Sequence, residues 1–327
     1  MNAAGSLFSW YNLKGPTPGN MRRAINPSHF VMQFRATEKS MHTTAVPAGI
    51  KMLVIDIDGT LLNPQGEISE RTKAAVQAAR RSGVVVSLAT ARRYGNTREI
   101  AEELGFDMPL IIYDGAMIVQ HPQQAILARQ TLDARIGQDA VDIFVRHHIQ
   151  PVVQPDTGLH EEIWTGPAEF DNVWIEAYFT AYPELMHRMP FEQLCAGKPD
   201  PLRVVAFASE EAIAGLIPEI ATLDCSWNSI KRGSYGTAEL VVMRRGCSKA
   251  SGLTTLARQF EIAPDQVMAI GDNTNDIPML LVAGWSVAMG QAPEAVKAAA
   301  RTVTASNAGD GLAQAIERYV LEGQDTG

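Results

Sequence analysis

The sequence of 327 residues has no long hydrophobic run and few cysteines. No apolar run approaches the roughly 20 residues that a membrane-spanning helix needs, so we expect no membrane partner. The three cysteines, Cys195, Cys225 and Cys247, are far apart and lack the spacing of metal ligands. Their odd number favours reduced thiols, and we therefore predict a cytoplasmic protein.

Basic charge is also scarce. The net charge is −8, which disfavours a surface for nucleic acid, so we expect no nucleic-acid partner. With 46% hydrophobic and 20% charged residues the composition is that of an ordinary globular protein. The length leaves room for about two domains, and the sequence makes no prediction of the oligomeric state.

Residues 1–48 differ from the rest because they mix Gly, Pro, Ser and Asn without a sustained period. They hold five basic residues against one acid, or +4, which leaves −12 for the remainder. We expect a disordered N-terminal extension, or upstream sequence translated from a misplaced start, since Met41 and Met52 lie just before the first strand. An organellar transit peptide is the less favoured alternative.

Strand-like and helical runs alternate from residue 50 onward. The strand candidates are Lys51–Asp56, Val84–Ala89 and Pro109–Tyr113, and the helices between them are Ser69–Ser82 and Arg98–Leu104. This order predicts an α/β protein with a parallel sheet and helices on both faces. Ligands of such sheets bind at the carboxyl ends of the strands.

The middle of the chain interrupts this alternation. We predict that residues 119–244 form an inserted α/β domain with its own core and that residues 49–118 and 245–327 form the main domain. The strand candidates of the insertion are Ala125–Leu132, Pro151–Val153, Leu202–Ala208 and Glu239–Met243, and its helix candidates are Ile136–His147, Phe170–Ala181 and Glu210–Leu223. The alternation resumes with helix Lys249–Phe260, strand Gln266–Ile270, helix Asp276–Val282, strand Trp285–Ala288, helix Pro293–Ala299, strand Arg301–Thr304 and helix Leu312–Leu321.

The first motif is the run from Asp56 to Thr60, which reads Asp-Ile-Asp-Gly-Thr and follows an apolar strand. Asp56 and Asp58 would emerge together at the end of that strand, and Gly59 allows the backbone to turn. Two buried acids this close need a cation between them. Mg²⁺ prefers such oxygen ligands, although an acidic turn without a metal is the alternative.

A second motif reads Gly-Asp-Asn-Thr-Asn-Asp over residues 271–276 and follows another apolar run. Asp272 is the natural third oxygen ligand for a metal near the first motif. Asn275 and Asp276 lie at the start of the next helix, where the helix dipole favours an acid. A turn followed by an N-capping acid is the alternative.

Thr90 and Lys249 are candidates for binding phosphate. Thr90 ends the second strand, where its hydroxyl could bond a phosphate oxygen. Ser248 is placed to cap a helix, and Lys249 falls in its first turn, where a cation opposes the helix dipole. That position suits a lysine that meets phosphate charge, and an ordinary surface lysine is the alternative.

Together these motifs, in this order and with this long gap, resemble the haloacid dehalogenase superfamily over residues 50–321. The closest resemblance is to the Cof-type sugar-phosphate phosphatases, which carry a large α/β cap after the third core strand. The resemblance implies a Rossmann-like core, dependence on Mg²⁺ and an aspartyl-phosphate intermediate.

Roles follow from this resemblance residue by residue. Asp56 would be the nucleophile and Asp58 the general acid and base. Asp56, Asp272 and the backbone carbonyl of Asp58 would bind Mg²⁺. Lys249 and Thr90 would bind the phosphate.

The resemblance also implies supporting roles. Asn275 would help at the phosphate site. Asp276, with Asn275, would orient Lys249 and metal-bound water, and Asp276 is also a candidate metal ligand.

Two departures from the family pattern add candidate substrate contacts. The chain has Ala91 between Thr90 and Arg92 where the family commonly has glycine, so the turn is expected to differ. It also has Asp114 before Gly115 where the family often has asparagine. We hold Arg92, Asp114 and Gly115 as candidate substrate contacts.

We expect a phosphoric monoester hydrolase that acts on a small phosphorylated metabolite, most simply a sugar phosphate. A phosphosugar mutase on the same scaffold and a non-catalytic phosphometabolite sensor are the alternatives. The cap should set substrate choice, but its polar and aromatic residues, such as His160, Glu161 and Trp164, single out no contact.

Overall fold

Two β-sheets organise the part of the chain that the computed structural model describes, residues 49–231, 233 and 236–322; the extension predicted for residues 1–48 lies outside it. The strands are β1 (Met52–Ile55), β2 (Val85–Ala89), β3 (Met108–Ile112), β4 (Met117–His121), β5 (Ala125–Arg129), β6 (Pro151–Gln154), β7 (Ile163–Thr165), β8 (Met186–Arg188), β9 (Arg203–Ala208), β10 (Cys225–Ile230), β11 (Ala238–Arg244), β12 (Val267–Gly271), β13 (Trp285–Ala288) and β14 (Thr302–Val303). The α-helices are α1 (Glu70–Arg81), α2 (Tyr94–Leu104), α3 (Ala134–Arg146), α4 (Glu176–Ala181), α5 (Glu210–Ile220), α6 (Lys249–Gln259), α7 (Ile277–Val282), α8 (Glu294–Ala299) and α9 (Gly311–Ile316).

The larger sheet has the strand order β14-β13-β12-β1-β2-β3-β4-β5. Its first six strands run parallel, and β4 and β5 add an antiparallel edge. All four residues of β1 are fully buried, as expected for a central strand that is covered by helices on both faces. The predicted fold class, a parallel sheet core with an inserted α/β cap, is confirmed.

Local sequence explains where the core helices begin. Helix α1 starts after Ser69, whose Oγ accepts the backbone N–H of Thr72 at 3.1 Å. This N-cap was predicted, and Gly83 follows the helix with a positive φ of 92°. Buried residues such as Ala75 and Ala79 recur at helical spacing on the inward face of the helix.

Four neighbouring strands deliver polar residues to the same edge of the larger sheet. Strands β12, β1 and β2 are followed directly by Asp272, Asp56 and Thr90, and β3 is followed by Tyr113 and Asp114. Because the carboxyl ends of parallel strands meet at one edge, these side chains share one site, as the sequence predicted.

The smaller sheet, here called the cap sheet, has the order β10-β11-β9-β6-β7-β8. One face packs on α3 and α5, with Val204 and Leu240 in the same apolar cluster as Phe144. Residues of the opposite face, such as Val205 and Phe207, belong instead to the main cluster of the larger sheet. Alternation along each strand therefore turns one face of the cap sheet towards the core.

Several elements differ from the prediction. The helix predicted for Phe170–Ala181 is only α4, because Asn172 Oδ1 accepts the backbone N–H of Trp174 at 2.9 Å and so competes with helix formation. The strands β4, β7, β8 and β10 were missed. The helix predicted for Leu312–Leu321 ends as α9 and continues as a wider turn over Glu317–Leu321.

The domain boundaries stay a prediction. The hairpin of β4 and β5 pairs with β3 in the larger sheet, although residues from 119 onward were assigned to the cap. Strand pairing therefore favours a first boundary near residue 130. Within the described ranges, no helix combines the length and the apolar character needed to cross a membrane.

Candidate active site

Asp56 lies at the end of β1 and is 4% exposed. Its backbone N–H donates to the carbonyl oxygen of Ile270 at 3.0 Å, so pairing with β12 continues up to the carboxylate. The chain then turns through Gly59, whose φ is 82°. A Cβ at that position would collide with the carboxylate of Asp272. Glycine is thus required by both the left-handed backbone and the approach of the second acid.

Lys249 reaches Asp56 from the first turn of α6. The N-cap Ser248 and Ser251 satisfy each other's backbone N–H groups with their hydroxyls, which fixes the start of the helix. The Lys249 ammonium is buried and donates to Oδ1 of Asp56 at 2.5 Å and to Oδ1 of Asp276 at 2.7 Å. Burial alone lowers the pKa of Lys249, but the carboxylates of Asp276 and Asp56 outweigh it and raise that pKa above its ordinary value.

Asp276 holds the second motif in place. Its Oδ2 accepts the backbone N–H groups of Asp272 and Asn273, each at 2.9 Å, while Oδ1 accepts from Lys249. A Cβ at Gly271 would collide with the Asp276 carboxyl group, so glycine also permits this approach. Both oxygens of Asp276 are engaged, which makes it an organiser of the loop and of the lysine.

Asp56, Asp272 and Asp276 form an acidic cluster, with one carboxylate oxygen from each lying within 4.8 Å of the others. Burial, and then the charge of Asp276, raises the pKa of Asp56 well above its usual range and that of Asp272 to about 6, while Lys249 opposes both shifts. With all three carboxylates ionised, the cluster and the Lys249 ammonium together would carry two negative charges. Oxygen ligands with this charge fit a divalent cation such as Mg²⁺.

The second acid of the first motif, Asp58, is paired with Arg92. Arg92 Nε donates to Oδ2 of Asp58 at 2.9 Å and Nη2 donates to Oδ1 at 2.6 Å, which is a bidentate contact. The Asp58 side chain remains 45% exposed and borders an open cleft of about 430 Å³. Thr90 Oγ1 accepts the backbone N–H of Arg92 at 3.0 Å, so the turn after β2 orients both residues.

Asp114, by contrast, is 2% exposed and joins three parts of the protein. Its backbone N–H donates to the carbonyl oxygen of Thr90 at 2.9 Å. Its Oδ1 accepts from Asn275 Nδ2 at 3.1 Å, and its Oδ2 accepts from Nη1 of Arg203, on the cap sheet, at 2.8 Å. The carboxylate where the family pattern often has asparagine therefore has its own buried cation.

Arg203 was missed by the sequence prediction. It is 6% exposed, and besides Asp114 it bonds Gln154 through Nε and the carbonyl oxygen of Ala91 through Nη2 at 2.7 Å. The only signal in the sequence is a charged residue at the start of an apolar strand. Ala91 has no positive φ, so the turn accommodates alanine in place of the usual glycine.

Gly115 positions the helix that carries Lys249. Its φ is 97°, and a Cβ there would collide with the carbonyl oxygen of Ser248. The Gly115 carbonyl oxygen accepts from Gln130 Nε2 at 3.0 Å. These contacts favour a packing role for Gly115 over the predicted substrate contact, which stays untested.

The polar cap residues singled out in the sequence do not converge on this site. Glu161 accepts the backbone N–H of Gly95 at 2.9 Å and lies 3.5 Å from the guanidinium of Arg93. Trp164 Nε1 donates to a neighbouring glutamate, and the His160 side chain is 85% exposed. The predicted core residues are instead brought together: Asp56, Asp58, Thr90, Arg92, Asp114, Lys249, Asp272, Asn275 and Asp276.

Comparisons with known proteins identify a family. Residues 53–316 match the model of the haloacid dehalogenase-like hydrolase family. A 5-amino-6-(5-phospho-D-ribitylamino)uracil phosphatase from Bacillus subtilis is 27% identical over 82% of this chain and 97% of its own. A pyridoxal phosphate phosphatase from Escherichia coli is 26% identical over 83% of this chain and 99% of its own.

A solved structure gives the same result. A sugar phosphatase of subclass IIB of the superfamily matches with a TM-score of 0.68 and 25% identity, over 82% of this chain and 98% of its own. The family resemblance and the enzyme class predicted from the sequence, a phosphoric monoester hydrolase, are confirmed. The chain belongs to the family of haloacid dehalogenase-like hydrolases.

Proposed function

We propose that this protein is a Mg²⁺-dependent phosphatase that hydrolyses a small sugar phosphate through an aspartyl-phosphate intermediate. The observation that carries the proposal is the contact between the buried Asp56 and Lys249, beside the carboxylate of Asp272. A carboxylate nucleophile and a fixed ammonium are what phosphoryl transfer requires for attack and for charge neutralisation.

In the first half-reaction an oxygen of Asp56 attacks phosphorus, and the bond from phosphorus to the leaving oxygen breaks. Asp58 donates its proton to that oxygen, so the alcohol leaves neutral. Lys249 and Thr90 hold the phosphoryl oxygens, where negative charge must be stabilised. Arg92 orients Asp58 through its bidentate contact.

In the second half-reaction water attacks the phosphorus of the aspartyl phosphate. Asp58 now accepts a proton from that water, and the bond between phosphorus and the Asp56 oxygen breaks. Phosphate leaves, and both carboxyl groups return to their starting protonation states. Asp276 and Asn275 keep the lysine and the Asp114 loop in position throughout.

The carboxylates of Asp56 and Asp272 and the backbone carbonyl of Asp58 would hold Mg²⁺. The charge count of the acidic cluster supports this assignment. When bound, the ion supplies positive charge that offsets the phosphoryl oxygens. Asp276 is the weaker candidate ligand because both of its oxygens are already engaged.

A sugar phosphate is the proposed substrate because the cap sheet faces the core and restricts access to small molecules. The similar sugar phosphatase of subclass IIB supports this choice. The two curated relatives act on other small phosphorylated compounds, a ribitylamino uracil phosphate and pyridoxal phosphate. We propose a cytoplasmic setting, which the free state of Cys195, Cys225 and Cys247 supports.

The test is phosphate release with and without Mg²⁺ across sugar phosphates, nucleotides and p-nitrophenyl phosphate. Asp56→Asn should abolish release, and Asp58→Asn should lower it about 10²- to 10⁴-fold. Isomerisation of a sugar phosphate without net release would favour the mutase alternative. Binding without any turnover would favour the sensor alternative, and full activity of Asp56→Asn would refute the nucleophile.

A further inference from the structure

The core-facing side of strands β9 and β11 in the cap sheet carries two charged residues among apolar ones. In β9 the residues on this side are Arg203, Val205 and Phe207, and β11 places Glu239 opposite Phe207. Farther along β11, Met243 shares the main apolar cluster with Val205 and Phe207. Glu239 is therefore a carboxylate on the same face as Arg203, directed to the core side of the cap.

Arg203 does not neutralise Glu239. Its guanidinium bonds Asp114, Gln154 and the Ala91 carbonyl group, and its ion pair is with Asp114. The positive charge of Arg203 is thus paired with the core acid Asp114. Among the described residues, none forms an ion pair with Glu239.

Glu239 lacks a hydrogen-bond partner in the described part of the chain. Its Oε1 is buried and unbonded there, and Gly233 leaves the space that this oxygen occupies. Burial raises the pKa of Glu239 to about 7, with Arg203 opposing and the charges of Asp114 and Asp58 adding to the shift. A buried carboxylate oxygen without a partner is costly and favours a ligand that donates to it.

Two of the charges that act on Glu239, those of Asp114 and Asp58, belong to residues at the carboxyl end of the larger sheet. Asp58 would protonate the leaving oxygen, so the leaving group lies on its side of the site. The tip of the cap sheet also contacts this edge, because β10, which pairs with β11 at Ile230 and Glu239, lies against the turn Thr274–Asp276. A leaving group placed between Asp58 and the cap lies on the core-facing side of the cap sheet, which also carries Glu239.

We infer that Glu239 is a specificity-determining residue that accepts a hydrogen bond from a hydroxyl or amino group of the leaving group. The substrate class is then a phosphate monoester whose leaving group is hydroxylated or aminated and carries no second anionic group. This inference rests on the proposed phosphatase function and narrows its substrate class.

The experiment compares phosphate esters of glucose, glucosamine and gluconate with p-nitrophenyl phosphate. Each of the three sugar esters carries its phosphate on the oxygen of the terminal hydroxymethyl group. Wild-type kcat/KM should be at least about 10-fold lower for the gluconate ester than for the other two sugar esters, because its carboxylate faces Glu239. Glu239→Gln should reduce about 10-fold the ratio of kcat/KM for the other two sugar esters to kcat/KM for the gluconate ester. For the glucosamine ester, the variant should raise KM by a larger factor than it lowers kcat. Glu192→Gln, at an exposed cap position, should leave the ranking unchanged.

The outcomes distinguish the inference about Glu239 from the proposed phosphatase function. Release from p-nitrophenyl phosphate with equal or better use of the gluconate ester would overturn the inference and leave the phosphatase function standing. A Glu239→Gln variant that keeps the wild-type melting temperature and the wild-type order of kcat/KM among the esters would also overturn only the inference. Absence of release from every ester would overturn both the proposed function and the inference.

Discussion

Arg203 of the cap sheet and Asp114 of the core form a buried ion pair, with Nη1 of the arginine 2.8 Å from Oδ2 of the carboxylate. The two side chains are 7% and 2% exposed, so neither is compensated by solvent. Asn275 and Ala91 extend the contact to the turns that carry the second motif and Arg92. The positive charge of Arg203 in the cap is thereby paired with the negative charge of Asp114 at the carboxyl end of the larger sheet.

Asp114→Asn and Arg203→Met should each destabilise the protein by about 3 kcal/mol, because each leaves a buried charge without its partner. The double variant should cost about 1 to 3 kcal/mol less than the sum of the two single costs. Urea unfolding at neutral pH measures all three free energies. Additive single costs would show that the pair is not energetically coupled.

Lys249→Met should lower the free energy of unfolding by about 3 to 5 kcal/mol in Mg²⁺-free buffer, since two buried carboxylates lose the ammonium that they share. The pKa of Lys249 is raised in the folded protein. Its stabilising contribution is therefore fully present below the ordinary lysine pKa and is lost only as pH rises through the higher folded value. The cost should be constant between about pH 7 and 9.

Lys297→Met is the matched control for this lysine. Lys297 pairs with Glu294 at 3.2 Å on an exposed helix, and such surface pairs contribute about 0 to 1 kcal/mol. A Lys249→Met variant as stable as this control would contradict a buried bridging role. Loss of stability should be smaller with Mg²⁺ present, because the ion offsets the same carboxylates.

Stabilisation by Mg²⁺ should depend on pH through Asp272, whose pKa is raised to about 6 in the metal-free protein. A raised carboxyl pKa means that the folded protein binds this proton more tightly than the unfolded chain. The metal-free protein should therefore lose about 2 to 3 kcal/mol from this group as pH rises from about 4 to 6. Mg²⁺ binds the ionised form, so its stabilising effect should be lost as pH falls through about 6.

Thermal melts with and without Mg²⁺ at pH values on either side of this range provide the measurement. Asp272→Asn removes the titrating group and should abolish most of the Mg²⁺ effect at high pH. An equal Mg²⁺ shift in the variant would place the ion elsewhere. An equal shift in the wild type at low and high pH would show that Asp272 is not a ligand.

Gly115→Ala should destabilise the protein and reduce kcat, because the new Cβ would displace the Ser248 carbonyl and with it the helix of Lys249. The backbone strain alone costs about 1 kcal/mol, since φ is 97°. Gly66→Ala separates the two effects, because Gly66 has φ of 81° and open space around its Cβ position. Circular dichroism melts and steady-state kinetics of both variants are compared, and equal losses would exclude the collision.

Sequence reasoning found what is encoded locally. Strand ends such as Asp56 and Asp272 follow short apolar runs, and the helix that begins after Ser69 carries its own N-cap. Missed features depend on partners distant in sequence. Arg203 is 89 residues from Asp114, and nothing local to an apolar cap strand indicates that its arginine pairs with a core acid.

The helix predicted for Phe170–Ala181 was wrong over its first part. There the local apolar pattern favoured a helix, and the side chains of Asp171 and Asn172 form other hydrogen bonds. The strand β4 was missed because the predicted alternation of strands and helices ended the sheet at β3, whereas β4 and β5 extend it by two strands. The helix was therefore shortened by local as well as distant hydrogen bonds, and β4 depends on pairing with a neighbouring strand.

The Arg203–Asp114 pair also limits how the two modules can be recombined. A cap grafted from a relative with a neutral residue at the position of Arg203 would leave Asp114 buried without its cation, even if the apolar faces packed well. A core that has asparagine in place of Asp114 would do the same to this cap's arginine. Chimeras should therefore exchange residue 114 together with the cap, and the two positions should vary in concert during divergence.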